Sequence, residues 1–162
     1  MAAAPLSADD RWAISDLMVK YCLGLDRKDY DLLGTEVLAE DAYADYGTNE
    51  GVDMKLEGRA ALLEMLETSL AQWETTHHLT GAPLIEATDE GAVLTAYLTA
   101  QHVRPDTPGG DQYIIAGIYT NGAVRTDAGW RLSSIRLDRS WTAGNLRVVQ
   151  GMYDEMKSQA GT

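Results

Sequence analysis

Two short segments carry the residue types of a buried acid–base pair. Tyr21-Cys-Leu-Gly-Leu-Asp26 closes a helical pattern, and Thr75-Thr-His-His-Leu-Thr-Gly81 opens a strand-like one. A carboxylate at a helix end that meets a histidine at a strand start fixes the imidazole tautomer. It also stabilises the imidazolium that forms when the ring takes a proton. Asp26 and His78 are therefore the candidate general base, provided the fold joins them. His77 must face the other side of any strand holding both histidines, because side chains alternate. The His78 face continues through Thr80, Ala82 and Leu84, and the His77 face through Leu79 and Gly81. Both are partly apolar, so alternation alone does not choose. Adjacent strand residues diverge and no CxxC or HExxH spacing exists, so no metal site is expected.

The elements that must position this pair follow from periodicity. A first helix starts near Ser7, with Asp9 and Asp10 in its first turn, where acidic residues suit the macrodipole. Trp12, Ile14, Leu17, Met18, Tyr21, Cys22 and Leu25 recur at helical spacing, Gly24 weakens the end, and Asp26 to Asp29 reads as a turn. Residues five apart lie about 140° around a helix axis. Tyr21 and Asp26 thus share a pocket only if a sheet wraps broadly around this helix or Gly24 disturbs its last turn. A short helix is predicted from Asp29 to Leu38, a small hairpin from Asp41–Tyr46 and Val52–Leu56 around the turn Gly47 to Gly51, and a third helix from Gly58 to Gln72.

Beyond Trp73 the period changes to that of strands, predicted at His77–Glu86, Gly91–Arg104, Gln112–Thr126 and Gly129–Trp141 and separated by turn signals. Leu146 to Lys157 reads as a final helix with Val149, Met152, Tyr153 and Met156 on its apolar stripe. The order is α+β: a curved, mainly antiparallel sheet wrapped around the N-terminal helices as a cone, with an apolar pocket inside. One domain spans 1–162, with 1–6 disordered and 146–162 a C-terminal helix and tail.

Composition excludes several classes. A net charge of -12, spread along the chain with no Lys/Arg cluster, opposes nucleic-acid binding. No apolar run reaches the length of a membrane span, and the start lacks the regions of a signal peptide. A single cysteine, Cys22, rules out an internal disulfide and fits the reducing cytoplasm.

Together these pieces resemble the SnoaL-like proteins, a branch of the nuclear-transport-factor-2-like superfamily. The resemblance runs from about Asp9 to Asn145. It rests on Ile14 to Tyr21 with Leu25-Asp26, Gly58-Arg59, Thr76-His-His-Leu79, Gly129-Trp-Arg-Leu132 and Trp141-Thr-Ala-Gly-Asn145. Members such as scytalone dehydratase, bile-acid dehydratase and hexachlorocyclohexane dehydrochlorinase are cofactor-independent lyases. The resemblance places their aspartate on Asp26 and their histidine on His78, leaving His77 outward or at a subunit contact. It places a tyrosine of bile-acid dehydratase on Tyr21, a position held by lysine in the dehydrochlorinase. It aligns Ile118-Tyr-Thr-Asn121 with a dehydrochlorinase segment, giving Tyr119 a comparable strand, and sets His102 where scytalone dehydratase has a second histidine.

The resemblance thus implies a lyase or isomerase that needs no cofactor and acts on a small cyclic or aromatic molecule. Its catalytic residues are Asp26, His78 and Tyr21, and its substrate-binding residues are Tyr46, His102, Tyr119 and Trp141. A non-catalytic small-molecule binding protein and a dioxygenase β-subunit-like structural protein are the alternatives, since this fold does not decide function. Arg136 and Arg139 read as surface or ion-pair residues, either of which can neutralise an anionic leaving group. Self-association is expected, because outer residues such as Ile115, Ile118 and Val124 need cover, and the resemblance implies a homodimer or homotrimer.

Overall fold

The computed structural model describes residues 4–49 and 52–160, with side chains described for 4–47 and 54–154. The turn predicted at Gly47 to Gly51 and the Met156 side chain fall partly or wholly outside the described residues, as do residues 1–3 of the predicted disordered start. Leu6, also placed in that start, packs against the core.

Helix α1 (Ala8–Arg27) begins with a capping box, in which the Ser7 hydroxyl accepts from the Asp10 N–H and the Asp10 carboxylate accepts from the Ser7 N–H. Asp10 also accepts from the Trp130 indole at 3.1 Å, which ties this helix end to the sheet. The helix runs through Gly24 undisturbed. That glycine is a contact point, since a Cβ there would sit 2.5 Å from Leu33 Cδ2. Lys28 ends the helix in the left-handed region, with φ 55°. A single turn α2 (Tyr30–Leu32) and a π turn (Leu33–Val37) occupy the predicted second helix.

The sheet is seven-stranded, in the order β2-β1-β7-β6-β5-β3, with β4 also on β5. The strands are β1 (Leu38–Asn49), β2 (Val52–Glu57), β3 (Thr75–Thr80), β4 (Leu84–Thr88), β5 (Gly91–Val103), β6 (Gln112–Thr126) and β7 (Gly129–Gly144). Helix α3 (Arg59–Leu70) follows β2, and α4 (Arg147–Ala160) ends the chain. The segment predicted as one strand, His77–Glu86, is two. Gly81 to Pro83 interrupts it, and Pro83 has no N–H for the ladder, so β3 and β4 pair with successive halves of β5. The sheet is also mixed, because β1 lies parallel to β7. Such a pair needs a long crossover, and here everything from β2 to β6 lies between the two strands.

Two extra residues bend β7 against β6. Gly122 and Ala123 oppose Ser134 and Leu132, so Ser133 is extra; Ala116 and Gly117 oppose Trp141 and Arg139, so Ser140 is extra. Each bulge coils the sheet and reverses the alternation of β7. The concave face carries Leu94, Leu98 and Ala100 of β5, Tyr113, Ile115 and Tyr119 of β6, and Leu132, Ile135 and Leu137 of β7, packed on α1 and α3. Ile115 is thus inside the cone and not on the outer face with Ile118; three residues apart on a regular strand, the two must diverge. Val148, Val149, Met152 and Tyr153 of α4 are buried, and the Trp73 indole donates to the Val148 carbonyl at 3.2 Å, which holds α4 on the sheet. Among the described residues no helix is long and apolar enough to cross a membrane.

Candidate active site

Asp26 stands in the last turn of α1, where the carbonyl end of the helix disfavours a negative charge. Donors from β3 overcome that. Asp26 Oδ1 accepts from His78 Nδ1 at 2.7 Å and from the Thr76 hydroxyl at 2.9 Å, and Oδ2 accepts from the His78 backbone N–H at 2.9 Å. Burial alone pushes the Asp26 carboxyl up, but these hydrogen bonds bring it below the usual carboxylate range. It is ionised at neutral pH. A carboxylate only accepts, so His78 Nδ1 carries a hydrogen, and in the neutral imidazole the lone pair is then on Nε2.

Pairing chooses between the histidines. Thr76 lies beside His102 and His78 beside Ala100, both on the concave face, whereas His77 lies beside Gln101 and is exposed. The His78 side chain is 7% exposed and lines a cavity of about 100 Å³. Leu25, Met65, Leu98, Ile115, Leu137 and Met152 supply much of its apolar wall.

Of the other expected residues, Tyr21, Tyr46, His102 and Tyr119 line the same cavity. The hydroxyls of Tyr21 and Tyr46 are 2.7 Å apart, and the Tyr119 ring packs edge-on against Tyr21 with centroids 6.1 Å apart. Burial pushes Tyr46 up to about 12 despite the opposing effect of its bond to Tyr21, and holds Tyr21 and Tyr119 well above the ordinary value. All three are neutral donors at neutral pH. Tyr21 and Asp26 reach one site without any break in α1, because Tyr21 faces the cavity directly while Asp26 acts from behind His78.

His102 is buried, with its ring 4.5 Å from Trp73 and 6.0 Å from His78, centroid to centroid. Its Nδ1 donates to the Tyr113 carbonyl at 3.3 Å. Burial, with the neighbouring His78 second, lowers it to about 4, so at neutral pH it is uncharged.

Trp141 does not join the cavity. The bulge at Ser140 sets it beside Ala116 on the convex face, 54% exposed. Arg139 replaces it: the guanidinium expected at the surface lines the cavity, while Arg136 pairs with exposed Asp138 at 3.0 Å as expected. Thr76 and Trp73 are the contributors that sequence reasoning missed, and Arg139 was read there as a surface or ion-pair residue able to neutralise a leaving group. Thr76 lay inside the quoted motif, and isolated glycines within a strand pattern, here Gly117 and Gly122, are a signal for the bulges that decide Arg139 and Trp141. Among the described residues no three His, Cys, Asp or Glu side chains converge as a metal site.

The SnoaL-like domain family matches residues 7–136. Solved structures similar to the chain include the Kfla4162 protein of Kribbella flavida, with 27% identity and a TM-score of 0.80 over 88% of this chain and 97% of that one. A candidate scytalone dehydratase of Novosphingobium aromaticivorans shares 22% identity, with a TM-score of 0.71 over 82% and 85% of the respective chains. The type-3 hexachlorocyclohexane dehydrochlorinase of Novosphingobium barchaimii shares 19%, with a TM-score of 0.70 over 83% and 89%. The last two likenesses are of fold. A comparison with curated proteins finds no match.

Proposed function

The chain belongs to the SnoaL-like domain family, and on that premise we propose that it is a lyase or isomerase that works by general-base catalysis on a small cyclic, largely apolar molecule. The observation that carries this reading is the Asp26–His78 contact of 2.7 Å, with the imidazole lining a largely apolar cavity. The volume of about 100 Å³ leaves room for no more than one ring, since benzene is accommodated by a cavity of about 150 Å³. The related dehydratase and dehydrochlorinase folds support elimination as the reaction type.

In this mechanism His78 Nε2 takes a proton from the carbon next to a carbonyl or leaving group. The C–H electron pair becomes the new double bond, and the positive charge on the ring is held by Asp26. In a dehydration the departing hydroxyl takes its proton from the Tyr21–Tyr46 pair, which His78 then restores, so that water is the second product. In an isomerisation the same hydroxyls hold the oxyanion while His78 returns the proton to another carbon. Neutral Tyr21 and Tyr46 are suited to both roles because burial keeps them protonated. His102, uncharged, adds no repulsion to the imidazolium.

The test needs no knowledge of the natural substrate. One-ring β-hydroxy ketones in D₂O are expected to exchange the proton next to the carbonyl and to eliminate water, both followed by NMR, with His78→Ala at least about 100-fold slower. Undiminished exchange in that variant ends the proposal. Binding of such ketones with no exchange at all would favour a carrier.

A further inference from the structure

One nitrogen in the cavity is unfinished. Arg139 Nη2 is buried and has no hydrogen-bond partner, and among the described residues it is the one buried side-chain nitrogen or oxygen in that state. Among the described residues the cavity lining contains no aspartate or glutamate. Asp26 is already engaged by Thr76 and His78, and Asp138 is held by Arg136. A buried donor nitrogen left without a partner is unfavourable, and folding alone gives no reason to place one there.

The placement is built into the sheet. Leu132 faces inward, and unbroken alternation from it would send Arg136 into the cavity and Arg139 out of it. The extra residue Ser133 reverses this, so Ile135, Leu137 and Arg139 form the inner row. Gly122 makes the bulge fit: its N–H donates to the Ser134 hydroxyl at 2.9 Å, and a Cβ on it would lie 2.6 Å from that oxygen. Arg139 sits beside Gly117 on β6, where a Cβ would lie 2.4 Å from the Asp138 carbonyl oxygen, so the glycine lets β7 approach closely at this point. His78 stands across the cavity on β3, beyond β5 and β6.

We propose that the ligand of this cavity is a one-ring carboxylic acid whose ionised carboxylate pairs with Arg139 while its ring lies against Leu98, Ile115 and Leu137 and faces His78. This rests on the reading of the cavity as an active site and names its substrate class. The carboxylate is the handle, and the carbon facing His78 is the reacting centre. A guanidinium presents a planar fork that matches the two oxygens of a carboxylate. A single cation in an apolar wall suits a single negative charge, and a phosphate dianion would leave one charge uncompensated.

Calorimetric titration of the protein with benzoate, with its neutral isostere benzamide and with bromide tests this without turnover. Benzoate is expected to bind at millimolar concentration or tighter, and at least about tenfold tighter than benzamide. Arg139→Gln is expected to remove that preference while leaving benzamide within about twofold. A melting temperature no lower than that of the native protein shows that the variant folds, and Arg139→Lys retaining part of the preference serves as the second variant. No benzoate binding, equal binding of benzoate and benzamide, or a preference that survives Arg139→Gln overturns the proposal. Bromide binding as tight as benzoate also overturns it, since Nη2 would then be a site for a departing anion. His78→Gln is expected to keep the benzoate preference, so a failed turnover assay sinks the catalytic reading and leaves this one standing.

Discussion

The two ends of the cavity differ in how completely their polar atoms are satisfied. At the α1–β3 corner the Asp26 carboxylate takes hydrogen bonds from Thr76, from the His78 backbone and from its ring, and only Nε2 is left over. At the β7 wall Arg139 leaves a buried donor with nothing to meet. The first end is complete before any ligand arrives, which holds one lone pair of the imidazole in a fixed direction. The proposed carboxylate, if it binds, completes the second end. A finished network marks where chemistry is prepared, and an unfinished one marks where recognition is deferred to the ligand.

The comparison breaks most readily at its finished end. Asp26→Asn is expected to lower turnover by about 10²–10⁴-fold. An asparagine amide turned toward Nδ1 stabilises the tautomer with hydrogen on Nε2, which removes the base. The variant should still fold, because the asparagine carbonyl, at the Oδ2 position, accepts from the His78 N–H, and the Thr76 hydroxyl can turn to accept from the amide. Steady-state turnover alongside a melting curve checks both parts. Near-full activity would mean that the finished corner is merely structural.

The next effect is on stability and comes from His102, which adjoins that corner. In the unfolded chain its pKa is near the ordinary value, and in the fold burial and His78 lower it to about 4. Below about pH 6.5 the unfolded chain therefore gains a proton that the fold refuses, and stability falls as pH falls toward 4. The full loss is about 3 kcal/mol. Asp26 adds to it at the acid end, because a lowered carboxyl gives stability that is present above the ordinary carboxylate range and disappears as it protonates. Melting temperatures from pH 7 to 4.5 should drop in the native protein and flatten in His102→Gln. Parallel curves would show that His102 is not the group responsible.

Much of this frame was legible in the chain. The limits of β6 coincide with the predicted Gln112–Thr126, because Gly-containing turn signals bracket a long alternating run. The Asp26–His78 pairing was legible through its motif, and the choice over His77 became physical only through the Ala100 neighbour on β5. The parallel β1–β7 pair was not legible, since nothing local in Leu38–Asn49 specifies a partner so distant in sequence. The bulges were harder still. Ser133 and Ser140 look like any half-exposed strand residues, and only Gly117 and Gly122 opposite hint at them. One residue gained or lost flips every side chain that follows, which is why Arg139 and Trp141 were assigned to each other's faces.

Thr76→Val sharpens the comparison at smaller cost. It keeps the shape of the side chain and removes one of the Asp26 donors. The expected loss is about 1–2 kcal/mol of stability, with turnover reduced by about tenfold or less because the ring contact survives. Since Thr76 helps hold Asp26 low, the acid limb of the stability curve should move to higher pH. A variant with native stability would show that the corner has a donor to spare.

The smallest effect belongs to Trp141, and it tests the register on which the Arg139 argument rests. Opposite Ala116 this indole lies on the convex face, where Leu79 and Tyr97 are also 64% and 77% exposed. Its removal cannot reach the cavity except through the backbone of β7, so Trp141→Ser should leave benzoate affinity within about twofold, a difference of only about 0.4 kcal/mol. If the outer face is where copies of the chain meet, as its expected self-association requires, light scattering should show the variant shifting toward monomer while affinity holds. A tenfold loss of benzoate affinity would instead place Trp141 against the ligand, return β7 to unbroken alternation past Arg139, and erase the difference between the two ends of the cavity.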